Sequence, residues 1–278
     1  MRPSRHNGAV TSPRPAAVLF DMDGTLIDSE RLWGIALGEL ARQYGGRLSD
    51  EARLAMIGTS EAETFRLLHE DLGQPWRDPR AGSRWVATRI GELFANELTW
   101  QPGARELLTE VRAAGVPTAL VTSTGRRLVD VALRTLDPTN FDVVVTADDV
   151  SARKPDPMPY LTAAAALGVD PAGCVAVEDS PVGVASALAA GCTVVAVPQE
   201  VAVTATGQRL HLRDGLVGVT LATLHDLAAG VVPRDGSVDR VGDRAGDHSA
   251  GDYSSVGTTM SATGTTGSAS GKGGGVPP

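Results

Sequence analysis

Apolar residues along the chain fall into short unbroken runs that alternate with amphipathic stretches. The first run, Ala17-Val18-Leu19-Phe20, ends abruptly in Asp21-Met22-Asp23-Gly24-Thr25-Leu26. Branched and aromatic residues in a run of this length predict a buried strand over about 17–23. Side chains alternate along a strand, so the pattern puts Asp21 and Asp23 on the same side. From Asp28 the spacing becomes helical. Trp33, Leu37, Leu40 and Tyr44 recur at helical intervals, and Gly45-Gly46 closes the run. Ser60 and Glu63 match a capping box ahead of Phe65, Leu68 and Leu72. Val86, Ile90, Leu93 and Glu97 mark a third amphipathic run. No strand pattern intervenes before Trp100, which predicts an all-helical insert over 29–99 that forms a separate small domain.

After Trp100 helix and strand alternate again. Pro102 opens a helix with Leu107, Leu108 and Val111 on its apolar face, and Gly115 ends it. Strands are predicted over 117–122, 141–146, 174–177 and 193–197, with a short sixth over 217–220. Helices are predicted over 126–136, 157–167, 181–191 and 221–229. Such alternation implies an α/β fold, a doubly wound parallel sheet covered on both faces, built from 16–28 and 100–230. Residues 1–15, with Pro3, Pro13 and Pro15, are expected to be disordered. Residues 231–278 turn to Gly, Ser, Thr and Asp, with too few apolar side chains to offset the entropy of ordering, and predict a disordered low-complexity tail.

Composition narrows the function classes. A formal charge of −8 on 278 residues argues against a partner held by charge, whether nucleic acid or an anionic membrane. Cys174 and Cys192 are too few for a disulfide scaffold and precede apolar runs, so buried thiols in a reducing compartment are expected. Arg2, Arg5 and His6 are not followed by the apolar run of a signal peptide, and no segment is long and apolar enough to span a bilayer. A cytoplasmic protein is the expectation. Oligomeric state is not encoded in any of these patterns.

The strand ends carry the candidate chemistry. Asp21 and Asp23 end the first strand, Thr122 and Ser123 the second, and Glu178 and Asp179 the fourth, while Lys154 follows the third. Ligands of open α/β sheets bind at the carboxyl ends of the strands, where these groups would converge. Close carboxylates repel one another, and a hard divalent cation such as Mg2+ compensates them. A carboxylate can attack phosphorus, a second can protonate the leaving oxygen, and a hydroxyl with an ammonium can cradle the phosphoryl charge. Asp28, Asp148 and Asp149 are expected in loop or helix-cap roles.

On these residues the chain resembles the haloacid dehalogenase superfamily over about 16–227. Asp21-Met22-Asp23-Gly24-Thr25 is similar to the first motif, Thr122 to the second, Lys154-Pro155 to the third and Glu178-Asp179-Ser180 to the fourth. The helical insert resembles the cap of the β-phosphoglucomutase and phosphoglycolate-phosphatase-like branch. The resemblance implies a Rossmann-like core and a Mg2+-dependent phosphatase acting on a small phosphorylated metabolite, a sugar or sugar-alcohol phosphate. Asp21 would be the nucleophile and Asp23 the general acid and base. Asp21, the main chain of Asp23, Asp179 and Glu178 would hold or support Mg2+. Thr122, Ser123 and Lys154 would bind the phosphoryl group. A phosphomutase of the β-phosphoglucomutase type is the alternative, weakened because Glu61 follows Gly58-Thr59-Ser60 where that branch has a basic residue. A non-catalytic phosphometabolite-binding protein is a third reading, disfavoured because no motif residue is lost. Trp33, Glu61, Arg66, Trp76, Arg80, Arg84 and Trp85 are candidates to line the cap entrance. The resemblance also implies cap opening and closing on hinges near 28–30 and 99–102.

Overall fold

A computed structural model describes residues 14–199 and 201–231. The expected disordered ends, 1–15 and 231–278, lie almost entirely outside the described residues. The first strand β1 (Ala17–Phe20) is followed by four helices, α1 (Glu30–Gln43), α2 (Asp50–Met56), α3 (Glu61–Asp71) and α4 (Ser83–Glu97). The alternating half comprises α5 (Ala104–Ala113), β2 (Thr118–Val121), α6 (Arg126–Leu136), β3 (Val143–Val145), α7 (Met158–Leu167), β4 (Cys174–Glu178), α8 (Pro181–Ala189), β5 (Thr193–Ala196), β6 (Leu210–Leu212) and α9 (Leu221–Ala228).

All strand pairs are parallel, in the order β3-β2-β1-β4-β5-β6. Successive side chains of each strand point to opposite faces, and the core divides accordingly. Phe20, Leu120, Val177 and Val195 join Leu107, Val111, Val129 and Leu224 of α5, α6 and α9 on one face. Leu19, Val121, Ala176 and Val194 join Tyr160, Ala163, Val184 and Ala187 of α7 and α8 on the other. Burial on both faces explains why the strands are continuous apolar runs rather than alternating ones. Cys174 and Cys192 are buried free thiols, as expected. Among the described residues no helix is long and apolar enough to cross a membrane.

The two chain crossings between insert and sheet run side by side. Ile27 bridges Trp100, Asp28 N–H donates to the Thr99 carbonyl (3.0 Å), and Gln101 N–H donates to the Leu26 carbonyl (2.8 Å). The helices of the insert are not isolated from the sheet. Leu37, Leu40, Phe65, Ile90 and Phe94 belong to the same apolar cluster as Phe20 and Val129.

Three expectations need correction. The sixth strand is Leu210–Leu212, not 217–220, where Gly218 turns with φ of 80° and the Thr220 hydroxyl caps α9. In this short edge strand His211 separates the two leucines, so no unbroken apolar run declares it. Helix α2 has no counterpart among the predicted elements, although Ser49 caps it by accepting from Ala52 N–H. Only half of the capping box at α3 forms: Ser60 accepts from Glu63 N–H at 3.3 Å, while the Glu63 carboxylate pairs with Arg66.

Candidate active site

The strand order reverses at β1, whose neighbours β2 and β4 depart in opposite directions, so a crevice opens at the carboxyl ends of these three strands. β1 pairing stops at Phe20, and Asp21 N–H still donates to the Val177 carbonyl at 3.0 Å, which carries Asp21 to the mouth of that crevice. Gly24 then turns the chain with φ of 76°. A Cβ there would lie 2.1 Å from Asp179 Oδ2, so only glycine lets the β4 carboxylate pack against the β1 loop. The Thr25 hydroxyl fixes that carboxylate by donating to Asp179 Oδ1 at 3.2 Å.

Lys154 reaches the same point from the loop after β3. Its amine donates to Asp21 Oδ1 (2.6 Å), Glu178 Oε1 (2.6 Å) and the Val121 carbonyl (2.9 Å). Glu178 is fully buried and held on both oxygens. Oε1 also accepts from the Tyr160 hydroxyl at 2.6 Å, and Oε2 accepts from the Ser180 hydroxyl at 3.2 Å. α8 passes so close that a Cβ on Gly183 would lie 1.9 Å from Glu178 Oε1.

Asp21, Glu178 and Asp179 offer oxygens that all lie within 4.8 Å of one another. Burial pushes the Asp21 carboxyl up to about 8, against the pull of Lys154 and with the help of the Glu178 and Asp23 charges. Burial likewise raises Asp179 well above the carboxylate range, reinforced by Asp21, Glu178 and Glu30. Burial disfavours the Lys154 ammonium, yet the two carboxylates it touches outweigh this and hold the amine above the ordinary lysine value. Three buried carboxylates thus share one ammonium, and the deficit of positive charge is what a divalent cation would fill.

Asp23 stands beside this cluster. Its Oδ2 accepts from the Thr122 hydroxyl (3.1 Å) and the Thr124 hydroxyl (2.8 Å), while Oδ1 is buried without a partner. The site opens on a cavity of about 420 Å3 whose wall includes Asp21, Asp23, Ser123, Thr124, Lys154 and Asp179 on the sheet side. Thr122 is buried and is not part of that wall. Asp148 and Asp149 take the structural roles expected of them: Asp148 accepts from Arg126 N–H at the start of α6, and Asp149 accepts from Thr146 and pairs with Arg126. Asp28 pairs with Arg31.

The insert closes the far side of the cavity with Trp33, Arg53, Met56, Ile57, Glu61, Phe65 and Val86. Of the expected entrance residues only Trp33 and Glu61 are present there. Arg66 turns outward to Glu63 and Glu70, Trp76 is exposed, and Arg80, Arg84 and Trp85 are not in the wall. Arg53 and Met56 come from α2, the helix absent from the sequence expectation. Thr124, Tyr160 and Gly183 also went unanticipated as site residues. A hydroxyl three residues past the end of β2 was the available signal for Thr124, whereas Tyr160 and Gly183 lie in ordinary helical patterns.

The family model for haloacid dehalogenase-like hydrolases matches residues 18–197. The chain belongs to the haloacid dehalogenase-like hydrolases. The segment shared with these hydrolases begins in β1 and ends just after β5, and it contains every residue of the cluster described above. Hexitol phosphatase A of Escherichia coli (strain K12) is 40% identical over 186 residues, 64% of this chain and 81% of that protein. A phosphorylated carbohydrates phosphatase of Thermotoga maritima is 36% identical over 180 residues, 63% of this chain and 81% of that protein. The crystal structure of CbbY from Rhodobacter sphaeroides in complex with phosphate superposes with a TM-score of 0.64 at 27% identity, covering 75% of this chain and 98% of that one.

Proposed function

We propose that this haloacid dehalogenase-like hydrolase is a Mg2+-dependent phosphatase that hydrolyses a phosphorylated sugar or sugar alcohol through an aspartyl-phosphate. The observation that carries the reading is the buried contact of Asp21 with Lys154, 2.6 Å apart, beside Asp179 at the floor of the cavity. The sugar-phosphate class is supported by the names of the two phosphatases reported above.

The donor set suits the metal. Mg2+ takes oxygen ligands and few of them from protein, and the carboxylates of Asp21 and Asp179 with the main-chain carbonyl of Asp23 would hold it. A metal held by these residues would supply positive charge that lets an anionic phosphate approach the attacking carboxylate. Glu178 belongs to the same cluster, but its oxygens already accept from Lys154, Tyr160 and Ser180, so its main task is to hold the lysine.

The remaining steps use the chain's own groups. An Asp21 carboxylate oxygen attacks phosphorus while the bond to the leaving oxygen breaks, and Asp23 gives that oxygen its proton. Lys154 and the hydroxyl and amide groups of Ser123 stabilise the charge on the phosphoryl oxygens. Asp23, now a carboxylate, takes a proton from water, which attacks the acyl-phosphate and frees Asp21 and inorganic phosphate. Glu61 in the opposite wall supports hydrolysis over mutase chemistry, since an anion there opposes a second phosphate.

Release of phosphate from para-nitrophenyl phosphate and from a panel of hexose, hexitol and glycolate phosphates tests the reading. Turnover is expected to need Mg2+ and to fall to background in Asp21→Asn. Unchanged turnover in that variant would remove the assigned nucleophile.

A further inference from the structure

Asp23 is held by hydroxyls on one oxygen only, and the arrangement runs through Thr124 twice. The Thr124 hydroxyl donates to Asp23 Oδ2 at 2.8 Å. Its main-chain N–H donates to the Thr122 hydroxyl oxygen at 3.0 Å, and that hydroxyl in turn donates to the same Oδ2 at 3.1 Å. A carboxylate oxygen has two lone-pair sites, so two donors fill Oδ2. A proton placed on Oδ2 would displace one of them. Oδ1 is buried and has no partner, although leaving a buried polar atom unsatisfied is costly. Asp23 and Thr124 both stand in the cavity wall, and a turn of the Asp23 carboxylate that uncovers Oδ1 would let a substrate's leaving oxygen supply the missing partner.

We propose that Thr124 is a positioning residue for Asp23: with Thr122 it occupies Oδ2 and so makes Oδ1 the oxygen that carries the transferable proton. The inference rests on the phosphatase reading, in which Asp23 protonates the leaving group. Thr124 touches no reacting atom in this arrangement. It acts by aiming another residue, and its loss should matter only as far as the leaving oxygen needs a proton.

That dependence separates positioning from mere support of the fold. The test compares kcat/KM for two aryl phosphates of similar shape. Phenyl phosphate leaves as a phenol with a pKa of about 10, as in tyrosine, and needs protonation. Para-nitrophenyl phosphate leaves as a much weaker base and needs little. General acid catalysis contributes about 10²–10⁴-fold, so the phenyl to nitrophenyl ratio should fall by about 10²-fold in Asp23→Asn. In Thr124→Val, with the backbone arm retained, the ratio should fall by about tenfold, a fraction of the same effect. Thr124→Ser keeps the hydroxyl and should restore the ratio. Where the valine variant fails to fold, Thr124→Ala makes the same deletion with less bulk.

If Asp23→Asn shifts the ratio and the Thr124 deletions lower both esters equally, the positioning role is overturned and the phosphatase reading stands. If Asp23→Asn leaves the ratio unchanged, the acid assignment falls and the positioning role falls with it.

Discussion

Gly183 illustrates how a single missing methyl group supports the site. It sits in the first turns of α8, where glycine costs helix stability, yet a Cβ there would come within 2.0 Å of the Glu178 carboxyl carbon. Gly183→Ala should therefore push Glu178 off Lys154. A displacement of about 1 Å in a positioned group can cost about 10²-fold in rate, and kcat should fall to that extent, with a lower thermal midpoint because a buried carboxylate is crowded off its lysine. Steady-state kinetics together with a melting curve check both halves. At this scale the sequence was legible where chemistry restricts the choice of residue. Two aspartates separated by a single residue, a lysine before a proline and a Glu-Asp pair have few innocent explanations in one chain. Tyr160, Thr124 and Gly183 were not legible, because a tyrosine, a threonine and a glycine fit equally well into many local patterns. Their roles come from the Glu178 and Asp23 oxygens they face.

Among the elements, α3 carries a feature with its own pH signature. His69 is buried on the inner face of this helix between Tyr44 and Phe65, and neither ring nitrogen has a hydrogen-bond partner. Burial, helped by the nearby Arg77 charge and opposed by Asp78, lowers its pKa below the usual 6.5. Above that pH the ring is neutral in both folded and unfolded chains and carries no penalty. As pH falls below it the unfolded chain binds the proton first, so stability is lost on acidification. The thermal midpoint should drop between pH 7 and pH 5 more in the wild-type chain than in His69→Phe. Parallel slopes for the two would show that other groups dominate the acid transition. The elements themselves were readable where period 3.6 or an unbroken apolar run marked them: α1, α3 and α4 show the first, and β1 to β5, down to the three valines of β3, show the second. α2 escaped because seven residues hold too few apolar positions to establish a period, and β6 because His211 interrupts its short run, where the equally short β3 is all valine.

The charge balance of the assembled site sets a prediction for the whole molecule. Asp21, Glu178 and Asp179 are gathered around one ammonium, so the folded chain presents a cluster of oxygen donors for a cation that the unfolded chain lacks. A cation that binds only the folded state stabilises it by about 2.7 kcal/mol at a hundredfold excess over its Kd. Mg2+ should raise the thermal midpoint by several degrees, EDTA should reverse the gain, and Asp179→Asn should abolish most of it. Scanning fluorimetry reads all three, and a midpoint indifferent to Mg2+ in the wild-type chain would remove the metal from the reading.

The linear pattern alone determined the α/β class, the helical insert after the first strand and the acidic, hydroxyl and ammonium groups at the strand ends. Periodicity and residue chemistry are local properties, and they survive in one dimension. The order β3-β2-β1-β4-β5-β6, the packing of the insert over the sheet and the identity of the cavity wall belong to the tertiary structure. Which oxygen of Asp23 is held, and which helix carries the glycine that Glu178 requires, depend on approaches between segments 99 to 101 and 5 residues apart in the chain. Such approaches are settled by how two apolar faces close on one sheet, and no spacing within a single element encodes them.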